Sequence, residues 1–88
     1  MTLVTISDFP DYIDASGGQA TGAFATVVKP DSAAAKAGFK EGDTIIRVDT
    51  KEVRNLRGLN RQLRRASEET VTVTVFRGYE EYEFSLTK

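Results

Sequence analysis

The stretch Gly22–Val53, GAFATVVKPDSAAAKAGFKEGDTIIRVDTKEV, decides the fold of this chain of 88 residues. An apolar run opens the stretch and stops at Lys29-Pro30, because proline has no N–H to donate to a β-ladder. A second apolar run follows at Thr44–Val48. The two runs predict buried strands on either side of a short connection.

The connection has the start and stop signals of a single helical turn. Ser32 is a favourable N-cap for the alanine-rich segment Ala33–Ala37. Gly38 then supplies the left-handed residue that commonly ends a helix. Phe39 is expected to anchor the returning chain in the core.

The rest of the chain predicts a longer helix and a hairpin. Leucines recur at intervals of three and four within Asn55–Ala66, which places them on one side of a helix that Asn55 caps. Thr70–Arg77 and Glu81–Thr87 alternate apolar and polar residues on either side of Gly78-Tyr79. This pattern predicts two antiparallel strands joined by a tight turn.

We expect a short extended segment at Met1–Ser7 and a mobile loop at Asp8–Thr21, where Pro10 and Gly17-Gly18 interrupt any regular pattern. Within this loop, a brief turn of helix at Asp11-Tyr12-Ile13 is left open. No internal repeat is present, so residues 1–88 are interpreted as one domain. The predicted order is strand, loop, strand, short helix, strand, long helix, strand, strand. It indicates an α+β fold, a small antiparallel β-sheet or partly open barrel capped by one short and one long helix.

Composition narrows the classes of function. The chain has no His and no Cys, and so lacks the commonest general base, the commonest metal ligand and any thiol. We therefore expect no enzyme activity, no catalytic residue, no metal and no cofactor. The net charge of −1 argues against general nucleic-acid binding, and no apolar run is long enough to predict membrane insertion.

The motif quoted above resembles the centre of PDZ domains, in the form found in bacterial protease-associated members. The likeness runs from Gly22 to Thr87, and the strand at Glu81–Thr87 is similar to the circularly permuted type of Deg/HtrA-like proteases. The resemblance implies a bacterial protein that binds a peptide or protein C-terminus, monomeric in isolation. Localisation is left open by the sequence, and only the resemblance favours the periplasm or cell envelope.

The resemblance also implies where a peptide binds. PDZ domains hold a terminal carboxylate with backbone amides of a hydrophobic-Gly-hydrophobic loop, here by position Val4-Thr5-Ile6, with Thr5 in the place of glycine. An extended peptide would add as a strand beside Ile6–Phe9, facing the long helix. The predicted peptide-binding residues are Val4, Thr5, Ile6, Ser7, Asp8, Leu56, Asn60, Leu63 and Arg64.

Within this groove, Leu56 and Asn60 are expected to meet the third residue from the peptide's end. An apolar pocket for the terminal side chain is predicted from Val4, Ile6, Leu59 and Leu63. The alternative is that these leucines belong only to the core.

Arginines are concentrated on the same helix: Arg57, Arg61, Arg64 and Arg65, with Arg54 just before it. Three interpretations stay open. The arginines form a solvated helix face, an edge that attracts a carboxylate, with Arg64 best placed, or a nucleic-acid surface. The last lacks the interleaved aromatic residues that stack bases.

Two functional hypotheses follow. The first is a peptide-binding module that captures extended, C-terminal segments by β-strand addition, as the regulatory or substrate-tethering domain of a bacterial protease. The second is a structural or docking domain, with a closed groove or one that binds no carboxylate, in a larger assembly such as a secretion system. Thr5 in place of glycine keeps the second hypothesis open.

Overall fold

The computed structural model describes residues 1–66 and 68–87. Within them, one six-stranded sheet contains β1 (Thr2–Thr5), β2 (Ala23–Val27), β3 (Thr44–Val48), β4 (Lys51–Glu52), β5 (Thr70–Arg77) and β6 (Glu80–Thr87). The helices are α1 (Pro10–Ala15), α2 (Ala33–Ala37) and α3 (Leu56–Arg65), and a 3-10 turn covers Ile6–Asp8. The predicted α+β class is confirmed. The predicted domain 1–88 includes Ser67 and Lys88, which lie outside the described residues.

The strands pair antiparallel in the order β1-β2-β3-β5-β6, and β4 pairs with β3 beside this path. The sheet therefore ends in β1 on one side and in β6 on the other. β5 and β6 pair continuously from Thr70 opposite Thr87 to Arg77 opposite Glu80, which confirms the predicted hairpin.

The core lies between the sheet and the helices α2 and α3. Val73 and Val75 of β5 are fully buried and belong to one cluster with Phe39 and Leu59. Thr74, on the other face of β5, is also only 3% exposed. β5 is thus buried on both faces at its centre, and it has a neighbouring strand on each side, β3 and β6.

Both predicted N-caps are confirmed. Ser32 Oγ accepts a hydrogen bond from the Ala35 N–H at 3.2 Å, and Asn55 Oδ1 accepts one from the Gly58 N–H at 2.7 Å. Gly38 ends α2 with φ +113°, and a Cβ there would lie 2.8 Å from a ring carbon of Phe84. Glycine is therefore required both by the backbone and by the packing.

The fold has a third helix, α1, within the segment predicted as a mobile loop. The loop prediction is wrong for Pro10–Ala15, and the helix includes the turn left open at Asp11-Tyr12-Ile13. Pro10 occupies the first helical position, where its missing N–H leaves no bond unmade. The buried Ser16 hydroxyl donates to Ile13 O at 2.7 Å and accepts from the Gln19 N–H at 3.0 Å, which closes the helix end. The sequence breakers bound this helix instead of preventing it.

A buried ion pair joins the start of β3 to the end of β5. The Asp43 side chain is fully buried and accepts from Arg77 Nε at 2.6 Å and Nη2 at 2.7 Å. It also accepts from the Lys40 N–H at 2.9 Å, while Arg77 Nη2 donates to Gly38 O at 2.9 Å. The hydrogen bond to Asp43 raises the pKa of Arg77 above its ordinary value, against the opposing effect of burial.

Candidate functional site

The open edge of the sheet at β1 is the first part of the candidate site. The Ile6 N–H donates to Gly22 O at 3.1 Å, so the backbone of Ile6 faces β2. Because backbone groups alternate between the two edges of a strand, those of Val4 also face β2. Leu3 and Thr5 then direct their N–H and C=O groups away from the sheet, where a further strand can pair.

Helix α3 lies against this edge and forms the second part of the site. Thr5 Oγ1 accepts a hydrogen bond from the Leu56 N–H at 2.9 Å, which ties the end of β1 to the first turn of α3. Leu3 and Leu63 are half-buried and pack against the core cluster. Side chains of Leu3 and Thr5 therefore lie on the α3 face of the sheet.

The structure corrects the predicted position of the groove. Val4 and Thr5 lie in strand β1 and not in a loop, and Ile6–Asp8 form a 3-10 turn. The strand predicted at Ile6–Phe9 is wrong, because the Phe9 N–H donates to Ile6 O at 2.9 Å and turns the chain into α1. The open edge is Thr2–Thr5.

Three of the apolar residues assigned to the pocket are not available there. Ile6 is fully buried and Leu59 is 2% exposed, so Leu59 is a core residue. The side chain of Val4 lies on the opposite face from α3, because successive side chains of a strand alternate and Leu3 and Thr5 face the helix. Leu3, which the sequence analysis did not select, takes the place predicted for Val4.

The remaining predicted residues are at or beside the groove. Leu56 and Leu63 are half-buried on α3, whereas Asn60 and Arg64 are exposed. Asn60 lies four residues after Leu56 and three before Leu63, and Arg64 lies four residues after Asn60, so both are at the edge of the apolar stripe. Ser7 and Asp8 are exposed in the turn that follows β1. Peptide contact by any of these residues stays a prediction.

Two further features surround α3 and α1. A cavity of about 750 Å³ lies on the other flank of α3, between Thr50-Lys51 and the helix residues Gln62 and Arg65. On the opposite face of the sheet, Tyr12 of α1 stacks on Phe24 with ring centroids 4.8 Å apart. The described residues contain no helix of the length and apolarity that a membrane span needs, and no cluster of three or more acidic residues suited to a metal ion.

The sequence analysis missed the two polar contacts that position the groove. Thr5 was treated as a departure from glycine, although a polar residue within an apolar strand is itself a signal of a side-chain hydrogen bond. The bond from the Gly22 N–H to Arg54 O, 2.9 Å, also holds the start of α3 near the end of β1. No sequence pattern identifies that second contact.

An open sheet edge beside an amphipathic helix defines a class of protein, the modules that bind extended peptides by strand addition. The chain belongs to the PDZ domain family, whose model matches residues 8–87. PDZ domains are interaction modules that bind peptide C-termini and are generally not enzymes. Comparison with curated proteins found no match.

Solved structures agree with the family assignment. The chain is similar to the crystal structure of the HtrA3 PDZ domain bound to a phage-derived ligand, FGRWV, with a TM-score of 0.79, 23% identity and coverage of 99% of this chain and 79% of that chain. A structure of the HtrA-type protease AlgW with a decapeptide is similar with a TM-score of 0.71 and 23% identity, and the match covers 98% of this chain and 26% of that chain. The chain thus spans about a quarter of AlgW. At this identity the likeness shows the fold, and the PDZ fold predicted from the sequence is confirmed.

Proposed function

We propose that this PDZ domain captures the extended C-terminus of a peptide or protein as an added strand on the open edge of β1. The observation that carries the proposal is the pair Leu3 and Thr5, whose backbone groups face away from the sheet beside α3. Main-chain hydrogen bonds to these residues would supply affinity, and side-chain contacts with the helix would supply specificity.

The added strand is taken as antiparallel to β1, and the contact between Thr5 and Leu56 then sets its position along α3. A peptide antiparallel to β1 enters beside Thr5, at the first turn of α3, and ends beside Thr2. Its terminal side chain then lies near Leu63, and its third residue from the end lies near Leu56 and Asn60. Leu56 offers no hydrogen bond, so burying a hydroxyl against it would be unfavourable. The site should select apolar side chains at both positions.

The finer role proposed is that of a regulatory or substrate-tethering domain in a bacterial protease of the periplasm or cell envelope. Two observations support it: the two similar structures described above come from HtrA proteins, and the AlgW structure is one with a decapeptide. The chain contains no His and no Cys, which is consistent with a module that relies on another domain for proteolysis.

Titration with matched pentapeptides tests the proposal. Two peptides differ only in Val or Thr at the third residue from the end, and a third carries an amidated terminus. We expect saturable NMR shifts at Leu3–Thr5 and along α3, dissociation constants in the micromolar range (about −8 kcal/mol) and tighter binding of the Val peptide. Equal or tighter binding of the Thr peptide would mean that Leu56 does not face the ligand. No effect of amidation would exclude recognition of the terminal carboxylate.

A structural or docking domain remains the second candidate, and one contact favours it. The hydrogen bond from the Leu56 N–H to Thr5 Oγ1 closes one end of the space between β1 and α3. If no member of a C-terminal peptide library gives saturable shifts, while the Thr5→Val variant binds, then Thr5 keeps the groove closed. If neither binds, the peptide-capture proposal fails.

A further inference from the structure

The charge distribution on α3 points to a property of the peptide beyond its apolar terminus. The chain has seven arginines, and three of them make ion pairs among the described residues: Arg47 with Glu81, Arg54 with Glu52 and Arg77 with Asp43. The other four all lie on α3 and have no ion pair in the described part of the chain: Arg57, Arg61, Arg64 and Arg65.

This arrangement is unfavourable for the helix alone. The helix contains no acidic residue, and Arg57, Arg61 and Arg65 repeat at intervals of four, which places like charges side by side. Arg64 and Arg65 in the last turn at least complement the helix dipole. Arg57, the second helical residue, lies at the end where a positive charge is disfavoured. Neither helix formation nor an internal ion pair accounts for Arg57.

Arg57 and Arg65 lie toward different flanks of α3, and Arg61 lies between them, opposite the leucine stripe. Successive residues turn by roughly 100° around a helix, so Arg57, Asn60 and Arg64 share one strip beside the leucine stripe. Arg65 lies on the other flank with Gln62, where both line the cavity of about 750 Å³. The flank that carries Arg57 is therefore the one directed to the open edge of β1.

We infer that the peptide carries an acidic side chain upstream of its last three residues, which pairs with Arg57. The inference rests on the proposed function and uses its direction of binding. An extended peptide advances about 3.3 Å per residue and the helix about 1.5 Å, so the seven residues from Leu63 back to Leu56 match about three peptide residues. The third residue from the peptide's end then lies between Asn60 and Leu56, and the fourth is level with Leu56 and Arg57. The Arg57 side chain points toward the N-terminus of α3, in the direction of the fifth residue.

Charge complementarity favours a peptide with an acidic side chain at this place. An Asp or Glu at those positions would give the Arg57 guanidinium the carboxylate that α3 lacks, in a pair at the rim of the groove. An exposed pair of this kind contributes modestly to affinity and is weakened by salt. Asp8, exposed in the turn after β1, is an opposing charge at the same end, so the gain should be small rather than large.

Binding of two hexapeptides to the whole chain tests the inference. They share an apolar last residue and an apolar third residue from the end, and have Glu or Gln at the fourth and fifth residues. We expect the Glu peptide to bind about threefold more tightly at low salt, with most of that preference lost near 0.5 M salt, about three times the physiological ionic strength. Arg57→Gln should remove the preference, and Arg65→Gln, the matched change on the other flank, should keep it.

The outcomes separate the two proposals. If neither hexapeptide binds, peptide capture itself fails. If both bind equally to the unmodified chain, peptide capture stands and the acidic preference is overturned. If Arg65→Gln removes the preference as fully as Arg57→Gln, the effect comes from the overall field of α3 and the assignment to Arg57 is overturned. Arg57→Gln relieves like-charge repulsion, so its unfolding midpoint should be no lower than that of the unmodified chain, and a loss of binding would not reflect unfolding.

Discussion

Breaking the Asp43–Arg77 pair from each side tests how burial decides the cost of an unpaired charge. The Asp43 side chain is 0% exposed, whereas 27% of the Arg77 side chain is exposed. Arg77→Met leaves a carboxylate that cannot reach water and keeps only the Lys40 N–H as a donor. Asp43→Asn leaves a guanidinium that solvent partly hydrates and that still donates to Gly38 O.

The two substitutions should therefore differ in magnitude. Removing one partner of a buried pair costs about 3–5 kcal/mol. We expect Arg77→Met to fall at the upper end, at about 4–5 kcal/mol, and Asp43→Asn to cost less, at about 2–3 kcal/mol, because water reaches the charge that remains. The double variant should lose less free energy of unfolding than the two single losses added together, by about 2 kcal/mol.

Urea denaturation of the four proteins at neutral pH gives these free energies of unfolding, with the denaturant slopes compared as a check on two-state behaviour. The pKa of Arg77 also determines how its contribution to the free energy of unfolding changes with pH. Because the folded state raises the pKa of Arg77 above its ordinary value, the stability it adds is complete below that ordinary value and is lost only as pH rises through the higher pKa of the folded state. Its contribution should thus be constant near neutrality. A loss for Asp43→Asn equal to or greater than that for Arg77→Met would refute the reasoning from burial.

Three other predictions concern the helix, the hairpin and chemistry. Leu63→Ala should lower the free energy of unfolding by about 2 kcal/mol, because it leaves a cavity at a half-buried position. Arg61→Ala should lower it by about 0.5 kcal/mol or less. Equal losses in urea denaturation would show that α3 is oriented otherwise. The hydrogen bond to Glu80 raises the pKa of Tyr82, so Glu80→Gln should lower it in an NMR pH titration, and an unchanged or higher value would remove Glu80 as the cause. Purified protein should hydrolyse neither casein nor ester substrates, and turnover that follows the protein through purification would contradict the reasoning from absent His and Cys.

The elements with strong local signals could be predicted from the sequence. Ser32 and Asn55 are short polar side chains before apolar runs, and both cap helices as expected. The β5–β6 hairpin follows from period-two alternation, which needs no knowledge of distant residues. Gly38 was expected at the end of α2, and the structure adds a second reason for glycine, because the Phe84 ring leaves no room for a Cβ.

The groove could not be placed as accurately, because its position depends on long-range contacts. Nothing local distinguishes a strand that continues through Ile6 from one that stops at Thr5. The outcome depends on burial of Ile6 and on the bond between Thr5 and Leu56, which are 51 residues apart in the chain. A shift of one residue moves every side chain to the other face, and this is how Val4 was assigned the place that Leu3 occupies.

The position of β5 in the sheet affects how the domain forms during synthesis. β5 pairs with β3 on one side and β6 on the other, although it begins only at Thr70. Until the ribosome has released that segment, β3 lacks one of its partner strands, and Ile45 and Val48, buried in the finished fold, have only part of their packing. Folding therefore has to await synthesis of β5, and a nascent chain stalled before Thr70 would expose an apolar strand edge to chaperones and to other nascent chains.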